Sequence, residues 1–504
     1  MQTPPPSTPT RAARRPAWPI APALIVVVLG ALYLRTLAPG VTWANEAADS
    51  GDLIAAAATL GVAHPSGYPA YLLLARLFML LPIGDLAFRA GLLSVAAGLG
   101  AALGVYAAVR ALAAAPGWRG EVASAGAALI CGLAPMLWSQ AVVAEVYALN
   151  AMFVALLLWF IAEPARTRRA LAARGLVAGL ALGNHLTSGL VVAAWLVAAL
   201  ARAPGGLAPR GARTARAALA LAGLAAGLLV YLYVPLRAAA RPPISWGDPR
   251  DLAGFWWLVS GALYRPLAFG VPAAELPAHL LASLGRLAGD LGAPGVALAL
   301  LGLVAAPPPA RPLAWAGLAL AAGYVLFASG YDTGDAYLYM IPASLIGAVL
   351  AGLGIAAALG RLPGGPPAGL AASAALAAAL AWGAAATYPR VDASADRRAV
   401  DFAGHVLGVA PRGAIVAAES DFDAFPLWYE HYALGRRPDL FVLVDALLDY
   451  DWYRSNLRAT YPALAVPAAP SADGSWLDAL RAANPALPLC RTSAEQTPAI
   501  ACEP

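Results

Sequence analysis

Long apolar runs constrain this chain more than any other feature of its sequence. Of its 504 residues, 61% are hydrophobic and only 12% are charged. The mean hydropathy is +0.68, and a soluble domain carries about 25% charged residues. The sequence therefore predicts a polytopic α-helical membrane protein. The net charge of +5 is small for this length, and the arginines lie in short loops between apolar runs, so we expect no nucleic-acid partner.

The apolar runs predict about eleven transmembrane helices, several of them shorter than the roughly 20 residues usually needed to span a bilayer. The runs lie near residues 18–37, 88–113, 122–139, 143–162, 170–184, 186–202, 214–236, 292–306, 312–328, 336–359 and 367–387.

The distribution of arginine predicts which way the chain is inserted. Arg11, Arg14 and Arg15 favour a cytoplasmic N-terminus, because positive residues are enriched in cytoplasmic loops. The later arginine-bearing loops, from Arg119 to Arg361, agree with this orientation if residues 70–82 do not cross the membrane. That run is about 13 residues long, which suits an interfacial or re-entrant helix. The C-terminus then lies outside the cytoplasm.

Four segments follow from this topology. We expect a disordered cytoplasmic tail over 1–17, a transmembrane domain over 18–388 with its first external loop at 38–87, and an extracytoplasmic domain over 389–504. The last segment reads as strand, helix and strand, which indicates a small α/β domain with parallel strands. Its strand ends carry Asp421, Asp423 and Asp445.

The two cysteines of the tail, Cys490 and Cys502, would meet an oxidising compartment there, and we expect them to form a disulfide. Two unpaired thiols in a flexible tail are the alternative.

The first external loop holds the strongest candidate site. It reads E-A-A-D-S-G-D-L from Glu46, followed by H-P-S-G-Y-P from His64. Ionisable groups beside a bilayer indicate function by default, and Asp49 and Asp52 suit a general base. The alternative is that Asp49 or Ser50 caps a helix. His64 and Tyr68 lie in a rigid turn that either contacts a phosphate or sugar hydroxyl or only redirects the chain.

Further polar residues face the same predicted side of the membrane. Each has a structural alternative: lipid snorkelling for Arg89, a satisfied turn for His185, an aromatic interface belt near Trp246 and a capped turn for the Y-D-T-G-D segment. As substrate- or donor-binding candidates we take Arg89, Glu145, His185, Arg237, Trp246, Asp248, Asp332 and Asp335. Guanidinium groups at Arg89 and Arg237 suit a lipid phosphate, while Trp246 and Asp248 suit a sugar.

The segments D-S-G-D-L and L-G-V-A-H-P-S-G-Y-P, with F-R-A-G-L-L-S around Arg89 and Y-L-Y-V-P-L-R around Arg237, resemble the "domain of unknown function 2723" family of GT-C glycosyltransferases. The resemblance implies a GT-C-like fold and places a catalytic carboxylate in the first external loop, at Asp49 or Asp52. It implies an inverting, protein O-mannosyltransferase-like enzyme that takes a sugar such as mannose from a polyprenyl-phosphate donor.

The expected setting is a bacterial inner membrane, with an exported protein as acceptor. A lipid or envelope glycan acceptor, and a transporter or flippase of lipid-linked sugars, remain alternatives. Inverted repeats expected of a transporter are not evident. No cofactor is predicted, and no metal signature is present in the sequence.

Overall fold

A computed structural model describes residues 20–203, 206–362 and 365–503. The predicted disordered tail, 1–17, lies outside the described residues. The part of the chain that is described is helical as far as Val391 and then becomes a mixed α/β unit.

The helices before the α/β unit are α1 (Ile20–Thr36), α2 (Ser50–Thr59), α3 (Pro69–Phe78), α4 (Leu86–Leu112), α5 (Gly117–Leu133), α6 (Pro135–Ala141), α7 (Val146–Ala162), α8 (Arg168–Leu182), α9 (Ser188–Ala201), α10 (Arg210–Leu228), α11 (Tyr233–Ala239), α12 (Leu252–Val259), α13 (Leu276–Ala305), α14 (Arg311–Gly330), α15 (Ile341–Arg361) and α16 (Gly365–Val391). Two short strands, β1 (Arg202–Ala203) and β2 (Gly206–Leu207), form an antiparallel pair between α9 and α10.

Among the described residues, six stretches of helix are long and apolar enough to cross a membrane, or seven if the bent pair α5 and α6 counts as one span. The six are Leu86–Leu112, Gly211–Ala239, Leu276–Ala305, Arg311–Gly330, Ala336–Arg361 and Pro367–Val391. Helices α1, α7 and α9 are apolar but shorter, with 17, 17 and 14 residues. The count of eleven spans therefore stays a prediction.

The run 70–82, expected not to cross the membrane, forms the ten-residue helix α3. At 1.5 Å per residue this helix is about 15 Å long, roughly half the thickness of the hydrocarbon core. Tyr71 and Ala75 are buried, while Leu73 and Leu77 on the other face are exposed. A short helix with one apolar face exposed suits the membrane interface.

The continuous hydrophobicity of residues 122–139 suggests one straight helix, but the structure has two helices there. The chain bends by 66° between α5 and α6, since Pro135 cannot continue the hydrogen bonding of a helix interior. Buried Asp290 from α13 accepts a hydrogen bond from the backbone N–H of Met136 (2.7 Å). This side chain satisfies a donor at the start of α6.

Glycine residues allow helices α8 and α10 to approach each other closely. Gly175 and Gly179 of α8 face Gly223 and Gly227 of α10, and a Cβ atom at Gly179 would lie 2.2 Å from the carbonyl oxygen of Leu224. Such contacts are typical of helix pairs in membranes. The close packing of α8 on α10 holds the turn after α8, which carries His185.

The C-terminal α/β unit contains α17 (Arg398–Val409), β3 (Ile415–Ala418), α18 (Asp421–Trp428), β4 (Phe441–Val444), α19 (Asp451–Thr460), α20 (Trp476–Ala483), β5 (Leu489–Thr492) and β6 (Ile500–Glu503). The strand order is β4-β3-β5-β6. Strands β4 and β5 flank β3 in parallel, and β6 is antiparallel at the edge. The strand–helix–strand pattern predicted from sequence is present in β3, α18 and β4.

The antiparallel register of β5 and β6 places Cys490 opposite Cys502. The two form a disulfide, which confirms the sequence prediction. The third cysteine, Cys131, is buried and free.

Contacts at its first residues join the α/β unit to the loop after α1. The Asp396 carboxylate accepts hydrogen bonds from Thr42 Oγ1 (2.5 Å) and from the backbone N–H groups of Trp43 (3.2 Å) and Ala44 (2.9 Å). Helix α18 then lies against α2, at the site described next.

Candidate active site

The centre of the site is His64, which lies between two carboxylates. Its Nδ1 is 2.7 Å from Asp52 Oδ2, and its Nε2 is 3.4 Å from Asp49 Oδ2. Its backbone N–H also donates to Asp52 Oδ2 (3.0 Å). The three residues that the sequence grouped in the first external loop are thus brought together in space.

Asp52 is a positioning group in this arrangement. It is fully buried in α2 and also accepts a hydrogen bond from Trp246 Nε1 (3.1 Å). Both of its oxygens are engaged, and neither faces open space, so it has no position from which to reach a substrate.

Asp49 is the accessible carboxylate. It precedes the first residue of α2, makes no side-chain capping bond there, and leaves 40% of its side chain exposed. Burial of its surroundings raises the pKa of Asp49, His64 opposes that shift, and Asp52 adds to it. A partly exposed carboxylate with a raised pKa suits a general base.

His64 is held as a cation. Burial lowers its pKa, but Asp49 and the hydrogen bond to Asp52 outweigh burial and raise the pKa to about 9. At neutral pH the site therefore contains an imidazolium that orients Asp49.

A backbone bridge explains how Trp246, 194 residues away along the chain, reaches Asp52. The N–H of Val62 donates to the carbonyl of Ile244 (2.9 Å), and the N–H of Trp246 donates to the carbonyl of Val62 (3.2 Å). The indole is only 4% exposed, so neither ring face is open. This burial and the hydrogen bond to Asp52 favour a structural role for Trp246, and its stacking on a sugar stays a prediction.

A cavity of about 710 Å³ begins at the turn that follows His64, at Pro65, Ser66 and Tyr68, while Asp49, Asp52 and His64 themselves are not among its lining residues. Its inner end is formed by Tyr68 and Tyr264, whose rings lie 5.0 and 6.4 Å from the His64 ring. Burial raises the pKa of Tyr264, and the charge of Asp49 adds to this shift.

The cavity is mostly apolar and opens towards the outside of the helical bundle. Its lining includes exposed side chains of the turn before α9, of α9, of α14 and of the segment after α12, namely Leu186, Leu190, Leu326 and Phe269. Among the residues lining it is one arginine, Arg265, whose Nη2 donates to Ser260 Oγ (2.7 Å). The cavity therefore offers an apolar passage with an arginine in its lining.

Glu145 and His185 border the same region. Glu145 precedes α7, is 2% exposed, and has one carboxylate oxygen without a hydrogen bond in the structure. His185 lines the cavity and bonds Thr187 Oγ1 through Nδ1 (2.8 Å). Burial lowers the pKa of His185 to about 4, so its imidazole is neutral at physiological pH.

The remaining predicted residues lie in different surroundings. Arg89 donates to the carbonyls of Ile83 (2.8 Å), Met79 (2.9 Å) and Gly84 (2.9 Å). Arg237 donates through Nε to the carbonyl of Leu60 (2.7 Å), at the end of α2. Neither lines the cavity, and these contacts favour a structural role, so donor binding by either stays a prediction.

The three remaining acidic candidates do not line the cavity. Asp248 accepts two hydrogen bonds from Arg250 (2.7 and 2.5 Å). Asp332 is exposed, and Asp335 accepts a long hydrogen bond from the Tyr147 hydroxyl (3.4 Å). Within the described residues, no group of three or more His, Cys, Asp or Glu side chains could hold a metal ion.

Sequence reasoning missed Tyr264, Arg265 and Phe425. Phe425 of α18 stacks on His64 with ring centroids 6.4 Å apart and planes at 14°. The segment A-L-Y-R-P around Arg265 carries a cation and a phenol between apolar runs, and this was the available signal for the first two. Phe425 carries no local signal, because only the packing of α18 on α2 brings it here.

Comparison with known proteins agrees with this architecture. The model of the "Protein O-mannosyl-transferase TMEM260 N-terminal domain" matches residues 49–205, and that of "TMEM260-associated domain 2" matches residues 399–474. The first match begins at Asp49. These two segments of the chain are thus similar to TMEM260 proteins.

Related proteins match over most of this chain. A protein O-mannosyl-transferase TMEM260 of Mus musculus is 29% identical over 445 residues, which cover 83% of this chain and 62% of that protein. The chain thus spans less than two thirds of its relative's length.

The fold is that of ArnT from Cupriavidus metallidurans. The crystal structure of ArnT bound to undecaprenyl phosphate has a TM-score of 0.58 at 15% identity, covering 93% of this chain and 92% of that one. The apo ArnT structure gives the same score at 14% identity, with the same coverage. The TMEM260-like chain is thus a multi-pass helical membrane protein with an ArnT-like GT-C fold.

Proposed function

We propose that this protein is a membrane glycosyltransferase that moves a sugar from a polyprenyl-phosphate donor to a hydroxyl group of a protein. One observation carries the proposal: His64, which contacts the accessible carboxylate of Asp49, packs 5.0 Å from the ring of Tyr68, and Tyr68 lines a mostly apolar cavity. The similarity to a mouse protein O-mannosyl-transferase and the undecaprenyl phosphate bound by ArnT support the same acceptor and donor classes.

In the proposed reaction Asp49 takes the proton of the acceptor hydroxyl. The hydroxyl oxygen forms a bond to the anomeric carbon as the bond from that carbon to the phosphate oxygen breaks. A single displacement of this kind inverts the anomeric centre. The polyprenyl phosphate leaves with the electron pair, and His64 keeps Asp49 oriented throughout.

The cavity suits the donor lipid. Its apolar wall at Leu186, Leu190 and Leu326 would hold isoprene units, and Arg265 would face the phosphate. A guanidinium can bind a phosphate through two parallel hydrogen bonds. Arg265 is therefore our first candidate for the donor phosphate, ahead of Arg89 and Arg237.

We propose that the site faces the extracytoplasmic side. The loop after α1, the turn with His185 and the α/β unit meet at the site, whereas Arg166 precedes α8 and Arg168 and Arg169 form its first two residues, at the other end of that helix. The positive-inside rule then favours a cytoplasmic position for these arginines. Location in a bacterial inner membrane stays a prediction.

The test uses the full chain in lipid nanodiscs, with a polyprenyl-phosphate mannose as donor and a Ser/Thr peptide as acceptor. Asp49→Asn should lower the rate of transfer by about 10²- to 10⁴-fold, the usual contribution of a general base. Asp401→Asn is a matched control, since Asp401 lies on α17 with 65% of its side chain exposed, and it should behave as the wild type. Equal rates for wild type and Asp49→Asn would overturn the proposal.

A further inference from the structure

His185 lies at the inner end of the cavity, in the turn between α8 and α9. Its ring centroid is 6.1 Å from that of Tyr68, which lies 5.0 Å from the centroid of the His64 ring. Both His185 and Tyr68 line the cavity. The ring of Tyr68 therefore packs against both histidines, one at the carboxylates and one at the cavity.

The hydrogen bonds of His185 fix which ring nitrogen carries the proton. The backbone N–H of Thr187 donates to Nδ1 (3.3 Å), and the Thr187 hydroxyl lies 2.8 Å from the same nitrogen. The imidazole is neutral at physiological pH because burial lowers its pKa to about 4. A neutral imidazole whose Nδ1 accepts a hydrogen bond carries its proton on Nε2, so Nε2–H is a hydrogen-bond donor.

A buried polar network supports this tautomer. The Ser188 hydroxyl donates to Asn150 Oδ1 (2.6 Å), and Asn150 Nδ2 donates to Thr187 Oγ1 (3.3 Å). The Thr187 oxygen accepts from Asn150, which leaves its own O–H to donate to His185 Nδ1. Asn150 is 4% exposed and Ser188 is fully buried. Polar groups inside a membrane bundle are costly, and the donors of this network run in one direction that ends at His185.

The Nε2–H group of His185 has no hydrogen-bond acceptor in the part of the chain that the structure describes. The residue is 7% exposed, and the cavity is the open space that it borders. Donors buried to this extent normally have a partner. We therefore expect the acceptor to come from a ligand in the cavity.

The lining of the cavity favours an anionic acceptor. It includes the guanidinium group of Arg265 and the phenols of Tyr264 and Tyr339, and no carboxylate is among the described residues that line it. In an inverting transfer the base and the leaving group lie on opposite faces of the sugar ring. The separation of the Asp49 carboxylate from the hydrogen-bond donors of the cavity fits that requirement.

We propose that His185 binds a phosphate oxygen of the polyprenyl-phosphate donor through its Nε2–H group, and that Thr187 and Asn150 hold it in the tautomer that donates. The inference rests on the proposed function and names a further residue of its donor site. As the bond to the anomeric carbon breaks, this hydrogen bond would stabilise the negative charge that develops on the phosphate.

The experiment measures the binding of a polyprenyl phosphate without sugar, and of the corresponding polyprenol, to the full chain in nanodiscs. The wild type should bind the phosphate more tightly than the alcohol. His185→Phe keeps an aromatic ring for packing but removes the donor, and should weaken phosphate binding by about 10- to 100-fold with little change for polyprenol. His185→Gln loses the ring but keeps an N–H donor, and should retain more of the affinity for phosphate than His185→Phe.

Two results in this assay would overturn the inference. Equal losses of phosphate and polyprenol binding in His185→Phe would indicate packing alone, as would phosphate binding at least as tight in His185→Phe as in His185→Gln. An effect of His185→Phe that appears only with a sugar-bearing donor would place the sugar, not the phosphate, at His185. His405→Gln is the matched control, since His405 is exposed on α17, and it should behave as the wild type.

Nitrogen NMR of the imidazole rings gives a readout on the wild type, independent of whether the variants fold. Nδ1 of His185 should have the shift of an unprotonated nitrogen, and polyprenyl phosphate should move the Nε2–H proton downfield. A protonated Nδ1, or an Nε2–H resonance that the lipid phosphate leaves unchanged, would contradict the inference. If the wild type transfers no sugar but loses phosphate binding in His185→Phe, the inference holds and the proposed function fails.

Discussion

The two aspartates of the first external loop should differ when each is replaced by asparagine. Asp49→Asn removes a carboxylate that is 40% exposed and bonded to nothing except His64, so the fold should lose less than about 1 kcal/mol. Asp52→Asn changes a fully buried group that accepts three hydrogen bonds. Asp49→Asn should abolish sugar transfer, and Asp52→Asn should also lower the free energy of unfolding.

The expected loss of stability in Asp52→Asn follows from the hydrogen-bond donors around Asp52. An asparagine offers one acceptor oxygen and one amide nitrogen, so at least one of the donors from His64 and Trp246 loses its acceptor. A buried donor without a partner costs about 1–3 kcal/mol, and more when it is charged. We therefore expect Asp52→Asn to destabilise the protein by about 2–3 kcal/mol. The pKa of His64 should also fall, since its hydrogen bond to Asp52 is one of the causes that raise it.

Thermal unfolding in detergent and transfer from polyprenyl-phosphate mannose are measured for both variants. Asp49→Asn should unfold near the wild-type temperature with a rate reduced by 10²-fold or more, and Asp52→Asn should unfold several degrees lower. The reasoning is refuted if Asp52→Asn is as stable as the wild type, or if Asp49→Asn is the less stable variant.

Three further outcomes are expected. Gly51→Ala should destabilise by about 1–3 kcal/mol, because the new Cβ meets the Phe425 carbonyl, whereas Gly404→Ala, with open space around it, should not destabilise in the same unfolding assay. Because Asp49 and Asp52 raise the pKa of His64 to about 9 from its ordinary 6.5, the stability that His64 contributes is complete below about pH 6.5 and is lost as the pH rises through 9. An unfolding temperature that does not fall over this range would contradict this. Arg265→Lys keeps the charge but not the planar fork, and should weaken donor binding in a direct assay.

The sequence located the three groups at the centre of the candidate site because they lie close together along the chain. Asp49, Asp52 and His64 fall within 16 residues, and their ionisable character beside a membrane is unusual enough to indicate a site. It could not separate the roles of the two aspartates, because that distinction depends on burial. Asp52 is enclosed only when Trp246 arrives from a distant segment through the bridge at Val62.

The roles of residues outside the first external loop were harder to predict from the sequence. Arg89 and Arg237 lie at helix ends as expected, yet their donors are directed to backbone carbonyls, and no local pattern reveals that. Arg265 reaches the cavity because the segment after α12 folds back towards α14. The strand–helix–strand pattern of the C-terminal unit was visible, but the contact of α18 with α2 depends on a glycine at 51 and could be seen only in three dimensions.

The position of a bound donor tests the central claim most directly. A cryo-EM structure of Asp49→Asn with a polyprenyl-phosphate mannose should show the lipid in the cavity between Leu190 and Leu326. The phosphate should lie within hydrogen-bonding distance of Arg265, with the anomeric carbon facing residue 49. A donor phosphate bound at Arg89 or Arg237, or a lipid outside the cavity, would contradict the account.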